Sequence, residues 1–230
     1  QENKIRIHLK STFSNEKGTI VSMNSTKNAI IGFASRSNCH TICFDEASSC
    51  DRKFFREILY QIAIGSDKKR ENPDGSLKEQ KTFNSCVVCT SEFSIIDSTA
   101  PNGLRTRIFE LNFPLTNSAE NSDNIKKCVF QNYGYAGIKF AEFIVNNKTA
   151  TIIDDYNHSM KILKKNHNDL DLHKGELTDR ILSKLAVILL TSHYINECFS
   201  WDFNINNHIK QLLSVEQSVV SESDISEKAL

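Results

Sequence analysis

The residues best suited to chemistry are two adjacent carboxylates, Asp45 and Glu46, which follow the short apolar run at residues 41–44. The run is typical of a buried strand, so the acids are predicted at a strand's carboxyl end. There, one carboxylate can hold Mg²⁺ through its water shell while the other orients an attacking water, as in nucleoside triphosphate hydrolysis. Two ionised neighbours repel, and a bound cation offsets the repulsion. The alternative is an acid pair that caps the next helix.

The glycine-rich loop that usually accompanies such a pair is missing. The sequence has no G-x-x-x-x-G-K-[ST] segment, whose backbone N–H groups and lysine would hold the nucleotide phosphates. Either the two acids have no catalytic role or this chain begins just after such a loop. The second interpretation predicts that the chain alone binds ATP poorly.

Composition is that of an ordinary soluble domain, with 230 residues, 39% hydrophobic content and a formal net charge of zero. Any nucleic-acid surface must therefore be a local cluster of charge. The longest strongly apolar run, residues 185–190, is far below the ~20 residues that span a bilayer, and the first residues lack the apolar core of a signal peptide. Seven scattered cysteines indicate reduced thiols in a cytoplasmic protein.

Cysteine spacing does not predict a zinc site. Cys86 and Cys89 lie in a strand-like run, where residues three apart point to opposite faces. Cys39 and Cys43 would share a face, but four strand steps of ~3.3 Å place them too far apart for one ion. The expected role of these cysteines is structural and buried.

Apolar periodicity and capping residues predict strands that alternate with helices in the first part of the chain. Strands are predicted at residues 19–23, 40–44, 85–90 and 108–113, with 85–90 buried; helices are predicted at 5–13, from a cap at 24–26 through 33, at 52–64 and at 130–145. Residues 66–81 are polar and contain a strong turn signal at 72–75, which predicts a protruding basic hairpin.

From about residue 157 the pattern favours helices alone, notably at residues 179–199. The sequence therefore predicts a three-layer α/β domain at residues 1–150 and a helical lid subdomain at 151–213. Residues 214–230 are polar and acidic and are predicted to form a loose tail.

Several short motifs, in their order, resemble the domain-of-unknown-function family 927, AAA+-like ATPases of primase-helicase proteins in phages, plasmids and staphylococcal-type mobile cassettes. The resemblance extends over residues 19–200. The matching segments are residues 24–29, Phe44-Asp45-Glu46, Gly65-x-x-Lys68-x-Arg70, Thr90-x-Glu92, Gly103-x-x-x-Arg107 and residues 133–137.

The resemblance implies a P-loop NTPase core of the AAA+-like kind that lacks its first strand and phosphate loop, followed by an α-helical subdomain. It also implies ATP and Mg²⁺ as cofactors, single-stranded DNA as partner and a homo-oligomeric ring without membrane contact. The function implied is the C-terminal part of an ATP-driven DNA helicase or translocase of mobile-element replication. A non-catalytic P-loop relative, used as a DNA-binding or assembly module, is the alternative.

The same resemblance implies roles for three polar residues of the α/β part. Asp45 would coordinate Mg²⁺ through water, and Glu46 would orient the hydrolytic water. Thr90 would be the polar sensor at the tip of the neighbouring strand, in hydrogen-bonding reach of the water or the γ-phosphate. A hydroxyl that merely caps a strand end is the alternative for Thr90.

Three arginines have implied roles at the phosphates. Arg107 resembles the arginine finger that AAA+ rings supply across a subunit interface. Arg105, two residues away, would share a strand face and substitute for it. Arg180, which opens the main helix of the lid, matches the position of a second sensor for the γ-phosphate. The alternatives are a solvated Arg107 and a surface salt bridge from Arg180 to Asp179 or Glu176.

The predicted hairpin carries five cations among four acids, which by itself describes a solvated loop. Its place before the sensor strand resembles the pre-sensor hairpin of minichromosome-maintenance-type helicases, which grips backbone phosphates in the central channel. The resemblance therefore implies DNA contacts by Lys68, Lys69, Arg70, Lys78 and Lys81.

Overall fold

The structure is a computed structural model, and it describes residues 20–22, 25–37, 40–45, 47, 50–92, 94, 100–111 and 116–228. It divides into two compact units, residues 1–97 with 116–130 and residues 98–115 with 131–230. The predicted domain boundary at residue 150 does not coincide with this division, because residues 98–115 and 131–150 group with the later part of the chain. The predicted helix at residues 5–13 lies outside the described residues.

The first unit contains a parallel sheet with the strand order β1-β2-β3. Its elements are β1 Ile20–Ser22, α1 Lys27–Arg36, β2 Ile42–Asp45, α2 Arg52–Ile64 and β3 Val87–Cys89. Parallel neighbours need a crossover connection, and α1 follows β1 while α2 follows β2. An α/β region with these three strands and two helices is therefore confirmed at the predicted places.

Both helices of this unit begin at the side-chain caps that their sequences provide. Thr26 Oγ1 accepts a hydrogen bond from the Ala29 backbone N–H at 3.3 Å, and Asp51 Oδ1 accepts one from Phe54 at 3.0 Å. α2 then buries an apolar stripe made of Phe55, Ile58, Leu59 and Ile62. It ends at Gly65, whose φ of 76° is the left-handed conformation that glycine adopts at low cost.

The second unit is helical. Its elements are α3 Asn102–Arg105, α5 Tyr135–Asn147, α6 Ile152–Asp169, α7 Thr178–Phe199 and α8 Ile205–Lys228, while α4 Ala119–Asn132 includes residues of both units. α6, α7 and α8 pack around an aliphatic core made of Leu163, Ile181, Leu182, Leu185, Leu189, Ile209, Leu212 and Leu213, among others. The prediction of helices alone after residue 157 is confirmed for the described residues.

A buried carboxylate joins three of these helices. Glu216 of α8 is fully buried; its Oε1 accepts from Thr178 Oγ1 at 2.9 Å and its Oε2 lies 3.5 Å from Nε2 of the buried His167. Gln217 Nε2 also donates to Glu216 Oε2 at 2.6 Å. Because a buried polar group needs hydrogen-bond partners, the bond from Thr178 ties the first turn of α7 to α8, and His167 of α6 lies beside the same side chain.

Two predicted elements differ from the structure. In one, a contact distant in sequence replaces the strand, and in the other a single glycine divides the helix. Residues 108–111 form no strand. Phe109 packs against the helical core instead, so its apolar side chain is partly buried without pairing with another strand. The predicted helix at 130–145 is two helices, because Gly134, with φ of 90°, separates α4 from α5.

Two further expectations are corrected. β3 is not buried: Val88 is 51% exposed, and the described part of the sheet has no strand beyond β3. Residues 214–228 belong to α8 and are not a loose tail, since Val219 and Val220 pack into the helical core.

The expectation of buried cysteines is wrong for the described thiols. Cys86 and Cys128 are exposed, and Cys43, Cys50, Cys89 and Cys198 are partly exposed. Desolvation, followed by the neighbouring thiols Cys43, Cys50 and Cys86, nevertheless raises the pKa of Cys89 to about 12. Cys89 is therefore a poor thiolate at neutral pH.

The end of α2 yields a test of local packing. A Cβ at Gly65 would lie 2.8 Å from the Phe83 carbonyl oxygen, so Gly65→Ala combines left-handed strain with a clash against backbone. We expect it to lower the free energy of unfolding by about 3 kcal/mol. Gly75→Ala is the matched control, since Gly75 has φ of 79° but no atom within 4 Å of its Cβ position. Gly75→Ala should lower the free energy of unfolding by about 1–2 kcal/mol, from left-handed strain alone.

The measurement is urea unfolding of both variants beside the unchanged chain. Equal losses for the two variants would show that the Phe83 carbonyl does not constrain Gly65.

Candidate functional site

Asp45 lies at the carboxyl end of the middle strand of the described sheet. Along β2, Ile42 and Phe44 are buried while Asp45 is half-buried at the strand's end. The register pairs Ser22 of β1 with Asp45, and Phe44 with Cys89 of β3. Because parallel strands end at the same edge, Thr90, the residue after β3, is brought beside Asp45.

Thr90 is held to the end of β2 by side-chain and backbone hydrogen bonds. Its Oγ1 donates to Asp45 Oδ1 at 2.8 Å, its N–H donates to the Phe44 carbonyl at 3.0 Å, and its carbonyl accepts from the Ala47 N–H at 2.9 Å. The structure thus brings together two of the predicted site residues. Glu46, the predicted water-orienting residue, lies outside the described residues.

The carboxylate of Asp45 and the hydroxyl of Thr90 provide oxygen atoms of the kind that Mg²⁺ binds directly or through water. Among the described residues, no group of three or more His, Cys, Asp and Glu side chains is arranged to hold a metal ion. Mg²⁺ usually needs only one or two carboxylates, because waters and substrate phosphates complete its octahedron. Asp45 would hold the ion through water, and the hydroxyl of Thr90 fixes the carboxylate's orientation.

The first turn of α1 is connected to α2 and to the hairpin. Lys27 Nζ pairs with Glu57 Oε2 at 2.7 Å, and this hydrogen bond and charge lower the pKa of Glu57. Arg70 donates from its guanidinium to Asn28 Oδ1 at 2.8 Å. Arg70, one of the predicted DNA contacts, therefore also has a structural bond.

Residues 66–82 form the predicted hairpin. Antiparallel bridges join Ser66 to Thr82 and Glu71 to Leu77, and Gly75, with φ of 79°, makes the turn. Asp74 accepts hydrogen bonds from the backbone and hydroxyl of Ser76, which lower the pKa of Asp74. All five predicted DNA-contact cations are exposed along the two arms.

The two arginines near residue 106 have different environments, both within the second unit. The expectation that they share a strand face is wrong, because α3 ends in a helical turn there. Arg105 is 1% exposed, and its Nε donates to the Ala100 carbonyl at 3.1 Å. Arg107 is exposed and donates from its guanidinium to the Gly103 carbonyl. Burial makes Arg105 a structural residue and removes the ground for treating it as a substitute for Arg107.

Arg180 lies in the first turn of α7 and is exposed. Asp179, the salt-bridge partner considered from the sequence, pairs instead with Lys164 at 3.0 Å. Within the described part of the chain, the Arg180 guanidinium has no ion-pair or hydrogen-bond partner. Arg180 is therefore available to a ligand.

Lys184 is a cation that sequence reasoning missed. Its Nζ donates to the carbonyl of Thr106, the residue before Arg107. Burial, followed by the charges of Arg107 and Arg180, lowers the pKa of Lys184. The available signal was its spacing of four residues from Arg180, which puts both on one face of a helix.

The described helices include none that is long and apolar enough to cross a membrane. No curated protein sequence matches the chain.

Residues 10–82 match the family described as "Domain of unknown function (DUF927)". A solved structure named "SCCmec type IV Cch - active helicase" is similar to the chain, with 28% sequence identity and a TM-score of 0.75. The similarity covers 94% of this chain and 39% of the helicase chain, so this chain spans well under half of that protein. The resemblance to the DUF927 family is thereby confirmed for residues 10–82, and the chain shares its fold with part of the protein named as that active helicase.

Proposed function

We propose that this chain is the part of an ATP-driven DNA helicase or translocase that follows the phosphate loop, and that its subunits hydrolyse ATP at their interfaces. The observation that carries the proposal is the hydrogen bond from Thr90 Oγ1 to Asp45 Oδ1 at the carboxyl edge of a parallel sheet. Open α/β sheets bind ligands at this edge. Support also comes from the likeness to a protein named an active helicase.

In this proposal the first unit supplies oxygens and the second supplies cations. Asp45 positions Mg²⁺ through water, Glu46 orients the attacking water and Thr90 reports on the γ-phosphate. Mg²⁺ and ATP, when bound, supply the electrophilic phosphoryl group. Arg107 and Arg180 stabilise the charge on that group, with Arg107 acting on a neighbouring subunit's nucleotide in a homo-oligomeric ring.

One observation favours a second candidate, a non-catalytic DNA-binding or assembly module. The 230 residues contain no G-x-x-x-x-G-K-[ST] motif. If the full-length protein that carries this chain also lacks the motif, the oxygens at Asp45 and Thr90 have no nucleotide to act on. The presence of the motif together with turnover decides between the two candidates.

To test whether neighbouring subunits share one ATPase site, two inactive variants of the full-length protein are mixed. Glu46→Gln removes water activation, and Arg107→Ala removes the finger; each should lower kcat by ~10³-fold with little change in ATP affinity. Mixed in equal amounts, they should regain activity at about one quarter of the interfaces, where an intact Glu46 meets an intact Arg107. The measurement is steady-state ATPase activity against mixing ratio.

Arg36→Ala, at an exposed arginine in the last turn of α1, is the control and should keep full activity. If differently tagged variants co-purify but the mixture stays inactive, Arg107 does not act across the interface. An Arg107→Ala protein with normal turnover would remove the finger role altogether.

The Thr90 hydroxyl has its own test. Thr90→Val keeps the side chain's shape but removes the donor to Asp45, and we expect kcat to fall about 10²-fold with ATP affinity nearly unchanged. Thr90→Ser keeps the hydroxyl and should retain most activity. ATPase kinetics and nucleotide titration separate the two effects. If Val and Ser variants behave alike, the hydroxyl merely ends the strand.

The hairpin test uses salt dependence, because phosphate contacts release counterions. Replacing Lys68, Lys69 and Lys78 with alanine should weaken single-stranded DNA binding and reduce the slope of log K against log salt by about 2. Arg70 is kept, since its bond to Asn28 supports the fold. The control replaces three exposed lysines of the second unit, Lys161, Lys165 and Lys210. Equal slopes for both triple variants would contradict DNA contact by the hairpin.

A further inference from the structure

Three cations of the second unit are placed together by α3 and α7. Arg180 and Lys184 lie four residues apart on α7 and so share a face of the helix. Lys184 Nζ donates to the carbonyl of Thr106, whose peptide bond leads directly to Arg107. Lys184 is thus the link between the helix that carries Arg180 and the turn that carries Arg107.

The frame that carries these cations is buried. Leu104 and Thr106, on either side of the buried Arg105, are 0% and 2% exposed, and Lys184 is flanked by the buried Leu185 on α7. The bond from Thr178 to the buried Glu216 ties the first turn of α7 to α8. A half-buried ammonium on such a frame differs from an ordinary surface lysine, because its position is set by packing and not by free rotation of its stem.

The three cations are close enough to influence one another. Burial, followed by the charges of Arg107 and Arg180, lowers the pKa of Lys184. Asp179, the acid beside Arg180 in sequence, is paired with Lys164. Clusters of like charges that shift a pKa are common at functional sites.

The chemistry of the three groups matches a phosphate. Guanidinium groups provide planar forks of donors for phosphate oxygens, and an ammonium adds a compact point charge. A terminal phosphate of a nucleoside triphosphate has enough oxygens to meet all three cations.

We propose that Arg107, Arg180 and Lys184 form one binding site for the terminal phosphate of a nucleoside triphosphate, in which Lys184 both contacts the phosphate and holds the Arg107 turn in place. The identity of the phosphate rests on the proposed function, whereas the anion site can be tested without it.

The experiment titrates the chain with sodium tripolyphosphate and follows binding by calorimetry and the melting temperature. We expect saturable binding and a rise in melting temperature that grows with ligand concentration. Lys184→Ala should weaken binding about ten-fold or more, and Lys184→Arg should restore most of it, because the cation returns. Lys210→Ala, at an exposed lysine of α8, is the control and should bind normally.

The hairpin lysines are a second place where a polyphosphate can bind, so the titration is repeated in the Lys68, Lys69 and Lys78 triple variant. There the loss caused by Lys184→Ala should persist. Circular dichroism of each variant without ligand separates loss of the site from loss of the fold, and Lys184→Arg provides a folded comparison if Lys184→Ala unfolds.

Unchanged tripolyphosphate binding in Lys184→Ala and Arg107→Ala would overturn the proposal. Turnover of the full-length protein that depends on Arg107 but not on Lys184 would likewise leave the motor standing and remove Lys184 from the site. If anion binding depends on Lys184 while the full-length protein hydrolyses no ATP, the anion site stands and the proposed motor fails.

Discussion

The hydrogen bonding of Thr90 to the end of β2 is the interaction on which the candidate site depends. Two backbone bonds fix Thr90 against Phe44 and Ala47, and the hydroxyl then meets the Asp45 carboxylate. A carboxylate left to rotate in water would have no defined geometry toward a metal or a phosphate. Because the parallel register places both residues at one edge, the sheet itself orients this acid–hydroxyl pair.

The elements that could be predicted from the sequence are those determined by local signals. Thr26 and Asp51 cap α1 and α2 with their own side chains, and Gly65 ends α2 by adopting a left-handed conformation. Neither signal depends on the rest of the chain. Residues 108–111 illustrate the limit, because their apolar side chains satisfy a strand pattern equally well when they pack on helices.

The candidate site also has features that could be predicted from the sequence and others that could not. The proximity of Asp45 and Thr90 could be predicted, because both residues end strand-like runs and the family resemblance implies that the two strands are neighbours. The difference between Arg105 and Arg107 could not, because one residue is buried and the other exposed only once α3 packs within the second unit. The place of Lys184 could not be predicted either, because its partner, the Thr106 carbonyl, is distant in sequence.

Phosphoryl transfer needs both oxygens to position a metal and water and cations to take up developing charge. Under the proposed function these two requirements are divided between the compact units: Asp45 and Thr90 belong to the first, and Arg107, Arg180 and Lys184 to the second. A motor that hydrolyses ATP between subunits uses such a separation, because one subunit's cations can complete another's site. In such a motor turnover depends on assembly, because the oxygens of one subunit act together with the cations of the next.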